Sequence, residues 1–126
     1  MGENSLAETS EIFDIPQFSQ SGWEVNQGEA VHLNSNYLYV AENFVDPAHV
    51  SFVHPTTLGS SASEDVPVEF KTDGDVIVAW RWISNSPPIG FFKEFPGYKT
   101  NVDRGHYYYL HLPSIAVIDF GSIDSK

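Results

Sequence analysis

Residues 42–59 constrain the chain more than any other stretch, because they interrupt an amphipathic helical pattern with proline. Apolar residues recur at helical spacing before and within this stretch, so the sequence predicts helix over residues 36–53. Pro47 has no backbone donor and disfavours helical backbone at Asp46. The sequence therefore predicts either a kink at this point or a second helix for which Asp46 is the N-cap.

Side chains that could act as ligands or acid–base groups lie along the same stretch: Glu42, Asn43, Asp46, His49 and His54. Glu42, Asp46 and His49 are spaced i, i+4, i+7 and so share one helical stripe. On a continuous helix the two histidines would point about 140° apart. Because Pro55 should end the helix, we expect the His54 imidazole to turn back towards His49. The residues alone leave two interpretations open, an ordinary solvent face and a metal site, for which one His-x4-His pair is weak evidence.

Read as Asn-x2-Asp-x2-His-x4-His, the string closely resembles the mononuclear-iron motif of the Rieske non-heme iron oxygenases. The flanking residues resemble the vanillate O-demethylase branch of that family. Further similar segments follow, and the resemblance covers most of residues 20–123. The segments that carry it are residues 36–38, 55–59, 88–92, 101–104, 112–115 and 118–121.

The resemblance implies roles for individual residues. His49 and His54 would be two of the three protein ligands of a mononuclear Fe(II). Asp46 and Asn43 would be the catalytic residues: Asp46 would hydrogen-bond an iron-ligating histidine and bridge towards the Rieske cluster of a neighbouring subunit, and Asn43 would lie near the iron. Two imidazoles and one carboxylate on one face of iron leave positions open for dioxygen and substrate.

Two components of the family's active site, the Rieske cluster and the third iron ligand, are not expected in this chain. The chain has no cysteine, whereas a Rieske [2Fe–2S] cluster needs two cysteines and two histidines, so the cluster is expected only in another domain of the full-length family. The family's third iron ligand is an aspartate much further along, and neither Asp119 nor Asp124 is assigned to it. We therefore expect residues 20–126 to be the N-terminal part of the catalytic domain, after a mobile tail and lead-in over residues 1–19.

The function implied by the resemblance is that of a partial catalytic domain of an aromatic ring-hydroxylating or O-demethylating oxygenase. Its expected partners are a small aromatic substrate, dioxygen, a reductase, a Rieske domain and further copies of the chain. The alternative is a START-like module that binds an apolar small molecule without catalysis. A third interpretation is a fragment that serves only assembly with other chains.

The composition of the chain argues against some classes of binding partner. Six basic and seventeen acidic residues give a net charge of −11, which argues against nucleic acid and anionic membrane surfaces. No apolar run approaches membrane-spanning length, and the first residues lack the pattern of a signal peptide. With the absence of cysteine, these features predict a cytoplasmic protein.

The rest of the chain predicts antiparallel strands around turns. One hairpin is expected over residues 66–71 and 75–83, joined at Asp73-Gly74, and another over 105–112 and 115–120. Short strands are also predicted at 23–25 and 30–33, and a loop at 84–98. The layout is α+β, an antiparallel sheet with a helix, matching a partial helix-grip (START-like/SRPBCC) fold.

Alternation along the predicted strands assigns side chains to faces of the sheet. Trp80 and Trp82 share a face, with Arg81 on the opposite face. One of these faces could line a pocket, but core packing is the predicted role of the paired tryptophans. His106 and His111 have no partner at ligand spacing and are predicted to be structural or surface residues.

Overall fold

The computed structural model describes residue 8, residues 12–93 and residues 100–124, which form two compact units, Met1–Leu33 and Asn34–Lys126. Most of the predicted mobile tail, residues 1–7 and 9–11, lies outside the described residues. The first unit contains a 3₁₀ turn, Pro16–Phe18, closed by a hydrogen bond from the Phe18 amide to the Ile15 carbonyl (3.0 Å).

The strands predicted at residues 23–25 and 30–33 are wrong, because these residues adopt no regular structure. Alternation of apolar and polar residues was the only signal for them. A strand also needs a neighbour for its backbone donors and acceptors. None of the strand ladders among the described residues reaches this segment.

The second unit is α+β, as predicted, and its described residues form three helices and four strands. The helices are α1 (Tyr37–Val45), α2 (Val50–Val53) and α3 (Gly90–Lys93), and a 3₁₀ turn covers Ser61–Ser63. The strands are β1 (Glu69–Asp73), β2 (Val76–Ser86), β3 (Val102–His111) and β4 (Ile115–Asp124). They form one antiparallel sheet in the order β1-β2-β3-β4.

Both predicted hairpins are confirmed. Gly74 adopts a positive φ of 57° in the first turn, a conformation that glycine reaches without strain. The second turn lies between His111 and Ile115, which pair across it. The loop predicted at 84–98 is partly wrong: β2 continues to Ser86 and α3 follows, while residues 94–99 lie outside the described residues.

The predicted interruption at Pro47 is a complete break between α1 and α2. Asn36 begins α1 as its N-cap, accepting a hydrogen bond from the Leu38 amide (3.0 Å). At the other end Asp46 has extended backbone (φ −97°, ψ 95°). Because that conformation cannot continue a helix, α1 ends at Val45 and the chain turns before α2.

The sheet presents two different faces. On one, here called the helix face, residues of the α1–α2 region line a cavity together with Phe70, Ile77 and Ala79. The buried side chains of the helix face include Ala79, Ile83, Tyr108 and Leu110. The opposite side, here called the open face, carries Val76, Val78, Trp80, Trp82, Tyr107 and Tyr109.

The prediction that both tryptophans pack in the core is wrong. Trp82 is 47% exposed and Trp80 is half-buried, because both lie on the open face, away from the helices. The prediction that Arg81 lies on the opposite face from the tryptophans is confirmed, since Arg81 is on the helix face, where it is buried.

Candidate functional site

The two histidines of the motif stand at the two ends of α2. His49 is its N-cap residue and His54 its C-cap residue. Their ring centroids are 5.7 Å apart with an interplanar angle of 70°. The expected return of the second imidazole towards the first is therefore confirmed, although the assignment of either ring as a ligand stays a prediction.

A tight turn after His54 fixes its place. The His54 carbonyl accepts hydrogen bonds from the amides of Gly59 (2.8 Å) and Thr57 (3.3 Å). Gly59 is pressed against α2, where a Cβ atom would overlap the Val50 carbonyl and approach the Ser51 Cα to 2.8 Å. Only glycine fits at this position, so the segment after Pro55 closes back onto the helix that carries the histidines.

Asp46 uses its two carboxylate oxygens differently. Oδ1 accepts a hydrogen bond from the Ala48 amide (2.8 Å), which closes the turn containing Pro47. Oδ2 lies 3.5 Å from Nδ1 of His49, longer than a good hydrogen bond. That Nδ1 atom is buried and has no hydrogen-bond partner among the described residues. A carboxylate beside one ring nitrogen orients the imidazole and leaves Nε2 as the nitrogen available to a metal.

The chemistry of these side chains fits part of a non-heme iron site. In such a site two imidazoles would supply two of the three ligands of a facial triad, and Asp46 would supply the outer carboxylate. Across residues 12–93 and 100–124 there is no group of three or more His, Cys, Asp or Glu placed to hold a metal. Asp119 pairs with Tyr107 on the open face, which agrees with leaving it unassigned.

The other residues of the motif lie nearby on α1. Asn43 and Glu42 are both exposed. A cavity of about 350 Å³ lies between the α1–α2 region and the sheet, and its lining includes Glu42, Val45, Asp46, Phe70 and Ala79. Neither imidazole lines this cavity, so the structure brings Asp46 to it but not the histidines.

A larger cavity, of about 610 Å³, lies on the open face. Its lining is mostly apolar and aromatic, and includes Lys71, Val78, Trp80, Tyr107, Tyr109 and His111. Its volume falls in the range of small-molecule pockets. It is on the opposite side of the sheet from Asp46. The larger cavity and the side chains suited to a metal therefore lie in different places. We take the histidine pair as the candidate site because its side chains are those that bind metals.

Sequence reasoning missed a buried polar cluster on the helix face, formed by Arg81, Arg104, His106 and Tyr108. Burial, together with the positive charges of Arg81 and Arg104, lowers the pKa of His106 to about 3. Burial raises the pKa of Tyr108 to about 12. The alternation along β2 already placed Arg81 on the face opposite the tryptophans. Because the tryptophans were predicted to pack in the core, Arg81 was not recognised as a buried residue.

No helix in the described parts of the chain is both long and apolar enough to cross a membrane.

Comparison with known proteins gives consistent matches. Residues 33–126 match the family model described as the vanillate O-demethylase oxygenase C-terminal domain. The chain is 30% identical over 125 residues to the iron-sulfur subunit TsaM1 of the toluene-4-sulfonate monooxygenase system of Comamonas testosteroni, covering 97% of this chain and 36% of that protein. It is 25% identical over 90 residues to the vanillate O-demethylase oxygenase subunit of Pseudomonas sp. strain HR199, covering 70% of this chain and 25% of that protein.

Among solved structures, dicamba monooxygenase bound to 3,6-dichlorosalicylic acid superposes with a TM-score of 0.86 at 21% identity, covering 98% of this chain and 36% of that one. This match shows the fold, and it confirms the predicted helix-grip architecture. The chain spans about a third of the length of TsaM1 and of dicamba monooxygenase.

Proposed function

The chain belongs to the family of vanillate O-demethylase oxygenase C-terminal domains, and on that premise we propose that it forms part of the catalytic domain of a Rieske-type oxygenase. The reaction class is hydroxylation or oxidative O-demethylation of a small aromatic compound with dioxygen. The observation that carries this proposal is the pair of imidazoles 5.7 Å apart with the Asp46 carboxylate 3.5 Å from His49.

His49 and His54 would hold a mononuclear Fe(II), which supplies dioxygen activation when bound. Asp46 orients the His49 ring and favours the tautomer with a proton on Nδ1. The same carboxylate is held in place by the Ala48 amide, so its orientation does not depend on metal. Asn43, one turn earlier on α1, is proposed to shape the surroundings of the site.

The remaining components are proposed to come from outside the described residues. The third ligand is a carboxylate, in keeping with a facial triad. Because the chain has no cysteine, a Rieske cluster on another domain would supply electrons, and a reductase would reduce that cluster. Residues 20–126 are accordingly proposed to be the N-terminal part of the catalytic domain, working in a homo-oligomer.

Anaerobic titration of the 126-residue chain with Fe(II), followed by calorimetry, tests the assignment. We expect one Fe(II) per chain, with binding abolished in His49→Ala and in His54→Ala. His32→Ala and His111→Ala are matched controls elsewhere in the chain, and both should bind as the wild type does. Equal loss in all four variants, or no loss in any, would contradict the site.

The second candidate is a non-catalytic module that binds an apolar small molecule. The cavity of about 610 Å³ on the open face favours it, since tyrosine and tryptophan rings line that cavity. Fe(II) binding distinguishes the two functions, because only the oxygenase requires it. A chain that binds an apolar fluorescent probe through Trp80 and Tyr107, and no Fe(II), would support the second function and count against the first.

A further inference from the structure

The helix that carries the two histidines is too short to hold its own position. α2 is four residues long, Val50–Val53, and its N-cap residue His49 makes no side-chain hydrogen bond to it. A helix of about one turn is unstable in water unless the rest of the fold supports it. The positions of His49 and His54 therefore depend on the contacts that α2 makes with its surroundings.

One of these contacts is a hydrogen bond between two buried serines. Oγ of Ser51, on α2, lies 2.8 Å from Oγ of Ser63, in the 3₁₀ turn Ser61–Ser63. The Ser63 hydroxyl donates to the Ser60 carbonyl (2.7 Å). Because a hydroxyl has only one proton to give, Ser51 is the donor in the bond between the two serines. This bond ties α2 to the turn.

The same turn is held by two buried arginines of the sheet. Nη1 of Arg81, on β2, donates to the Ser63 carbonyl (2.8 Å). Nη2 of Arg104, on β3, donates to the Ser60 hydroxyl (2.9 Å). The side chains of Ser51, Ser63 and Arg81 are all at most 3% exposed, so water does not compete for their hydrogen bonds. A continuous path of hydrogen bonds thus joins the sheet to the helix of the two histidines.

Burying the two arginines is unfavourable in itself. Burial, together with the charge of Arg81, lowers the pKa of Arg104 to about 10. Nε and Nη2 of Arg81 and Nη1 of Arg104 are buried without a hydrogen-bond partner among the described residues. Apolar residues that replace buried charged groups often give equal or greater stability. An apolar side chain could not donate to the turn, however, so the contribution of the arginines is to where the turn lies.

We propose that Ser51, Ser63 and Arg81 are positioning residues, here called the positioning link, which fix α2 relative to the sheet. None of the three is a proposed metal ligand, and each acts through the two imidazoles, whose separation must suit one Fe(II) ion. β2, which carries Arg81, pairs with a strand on each side and so provides a firm reference. The inference rests on the proposed function for the metal, whereas the link itself belongs to the metal-free chain.

The test measures both Fe(II) affinity and the placement of the rings in the metal-free chain. Ser51→Ala removes the bond to Ser63, and we expect Fe(II) affinity, measured by anaerobic calorimetry, to fall by about 10-fold or more. In the metal-free chain, NMR should show a nuclear Overhauser effect between the imidazole protons of His49 and His54, whose ring centroids are 5.7 Å apart. That signal should be weakened in Ser51→Ala.

Variants at the other end of the link separate positioning from stability. Arg81→Met removes the donor to Ser63 and should have the same two effects, whereas Arg81→Lys keeps a charged donor and should restore part of both signals. The matched control is Leu110→Val, which removes a buried methylene near the far end of β3 from Arg104 and so destabilises the core without touching the link. Urea unfolding gives the stability of each variant. A loss of Fe(II) affinity in Leu110→Val equal to that in Ser51→Ala would show that affinity follows stability alone, which overturns the proposal.

The wild-type chain decides the matter if the variants fail to fold. The amides of Val53 and His54 donate within α2, to the carbonyls of His49 (2.8 Å) and Val50 (3.1 Å). A helix tied to the sheet opens rarely, so hydrogen exchange at these amides should be slower than in an unfolded chain by about 100-fold or more. Weaker protection overturns the proposal.

The failure of this proposal and the failure of the iron site are distinguishable. A wild-type chain that binds no Fe(II) rejects the iron site, while the Overhauser signal and the amide exchange still test the link without metal. Ser51→Ala that keeps the wild-type signal between the imidazoles overturns the positioning link, whatever the wild-type chain does with Fe(II).

Discussion

His106 is held neutral by its surroundings, and this makes the stability of the domain depend on pH. Its pKa is about 3 in the folded chain against an ordinary value of 6.5, so the unfolded state binds the proton more readily. The stability that this histidine contributes is therefore full above pH 6.5 and is lost as pH falls towards 3. Removing it should flatten the slope of unfolding free energy against pH by up to about 1.4 kcal/mol per pH unit in that window.

Urea unfolding of His106→Gln at pH values between 4 and 7 measures this slope. His32→Gln changes the same residue type where the side chain is exposed, and it should keep the wild-type slope. A slope in His106→Gln that equals the wild-type slope would show that protonation of this imidazole is not linked to folding.

Asp46 combines a structural and a proposed functional contact, and the two can be separated. Asp46→Asn retains the oxygen that accepts from the Ala48 amide but removes the charge beside His49. We expect unfolding free energy within about 0.5 kcal/mol of wild type, and Fe(II) affinity lower by about 10- to 100-fold, as for other partners of metal-ligating histidines. Calorimetry and urea unfolding measure the two effects.

The control for this substitution is Asp65→Asn, which neutralises an exposed carboxylate elsewhere. It should change neither quantity. A loss of Fe(II) affinity in Asp65→Asn as large as that in Asp46→Asn would point to net charge instead of the contact with His49.

At the residue scale, the spacing of Asp46, His49 and His54 with two prolines was enough to predict where these side chains meet. The prolines determine where the helices end, and His49 and His54 stand at the two ends of α2, which sets the positions of their rings. The buried arginines could not be predicted in the same way. A charged residue between two tryptophans gives no sign of which face will be covered, since that depends on helices packed from elsewhere in the chain.

At the scale of elements, the junction between α2 and the turn after it depends on one glycine. Gly59→Ala would place a Cβ against the backbone of Val50 and Ser51. Backbone cannot move aside as a flexible side chain can, so we expect a loss of about 1–3 kcal/mol in unfolding free energy, the usual cost of overpacking.

Urea unfolding of Gly59→Ala against Gly121→Ala checks this prediction. A Cβ on Gly121 would meet nothing within 4 Å, so that variant should remain within about 0.5 kcal/mol of wild type. Fe(II) titration of Gly59→Ala should also show weaker binding, because the turn positions His54. Equal stability of the two variants would mean that the close approach of Gly59 to α2 does not constrain the fold.

Elements whose ends are set by nearby residues, such as a turn dipeptide or a proline, were predictable. Elements that depend on a partner elsewhere in the chain were not. Asp73-Gly74 joins two β-rich runs, and the hairpin forms there because the turn and the strands favour each other. The runs at 23–25 and 30–33 have suitable residues but no partner strand within the part of the chain that the structure describes, and a strand forms only where it has a partner. The break at Pro47 was predictable because proline acts on its own neighbours.

At the scale of the whole molecule, the described sheet has two edges. Within the described residues, β1 pairs only with β2 and β4 only with β3. Apolar side chains are exposed on both edge strands, including Phe70 (79%) on β1 and Ile123 (57%) on β4. Unpaired strands with exposed apolar side chains are prone to pair with another chain. We therefore expect the chain to self-associate as its concentration rises.

Sedimentation equilibrium over a range of concentrations measures this association, and a lysine on an edge strand should weaken it by about 10-fold or more. Phe70→Lys and Ile123→Lys test the two edges separately, because a charged side chain blocks pairing only where it stands. Tyr39→Lys makes the same change at an exposed residue of α1, and should leave association as in wild type. A chain that stays monomeric throughout, or one in which all three variants associate alike, would show that the sheet edges do not drive assembly.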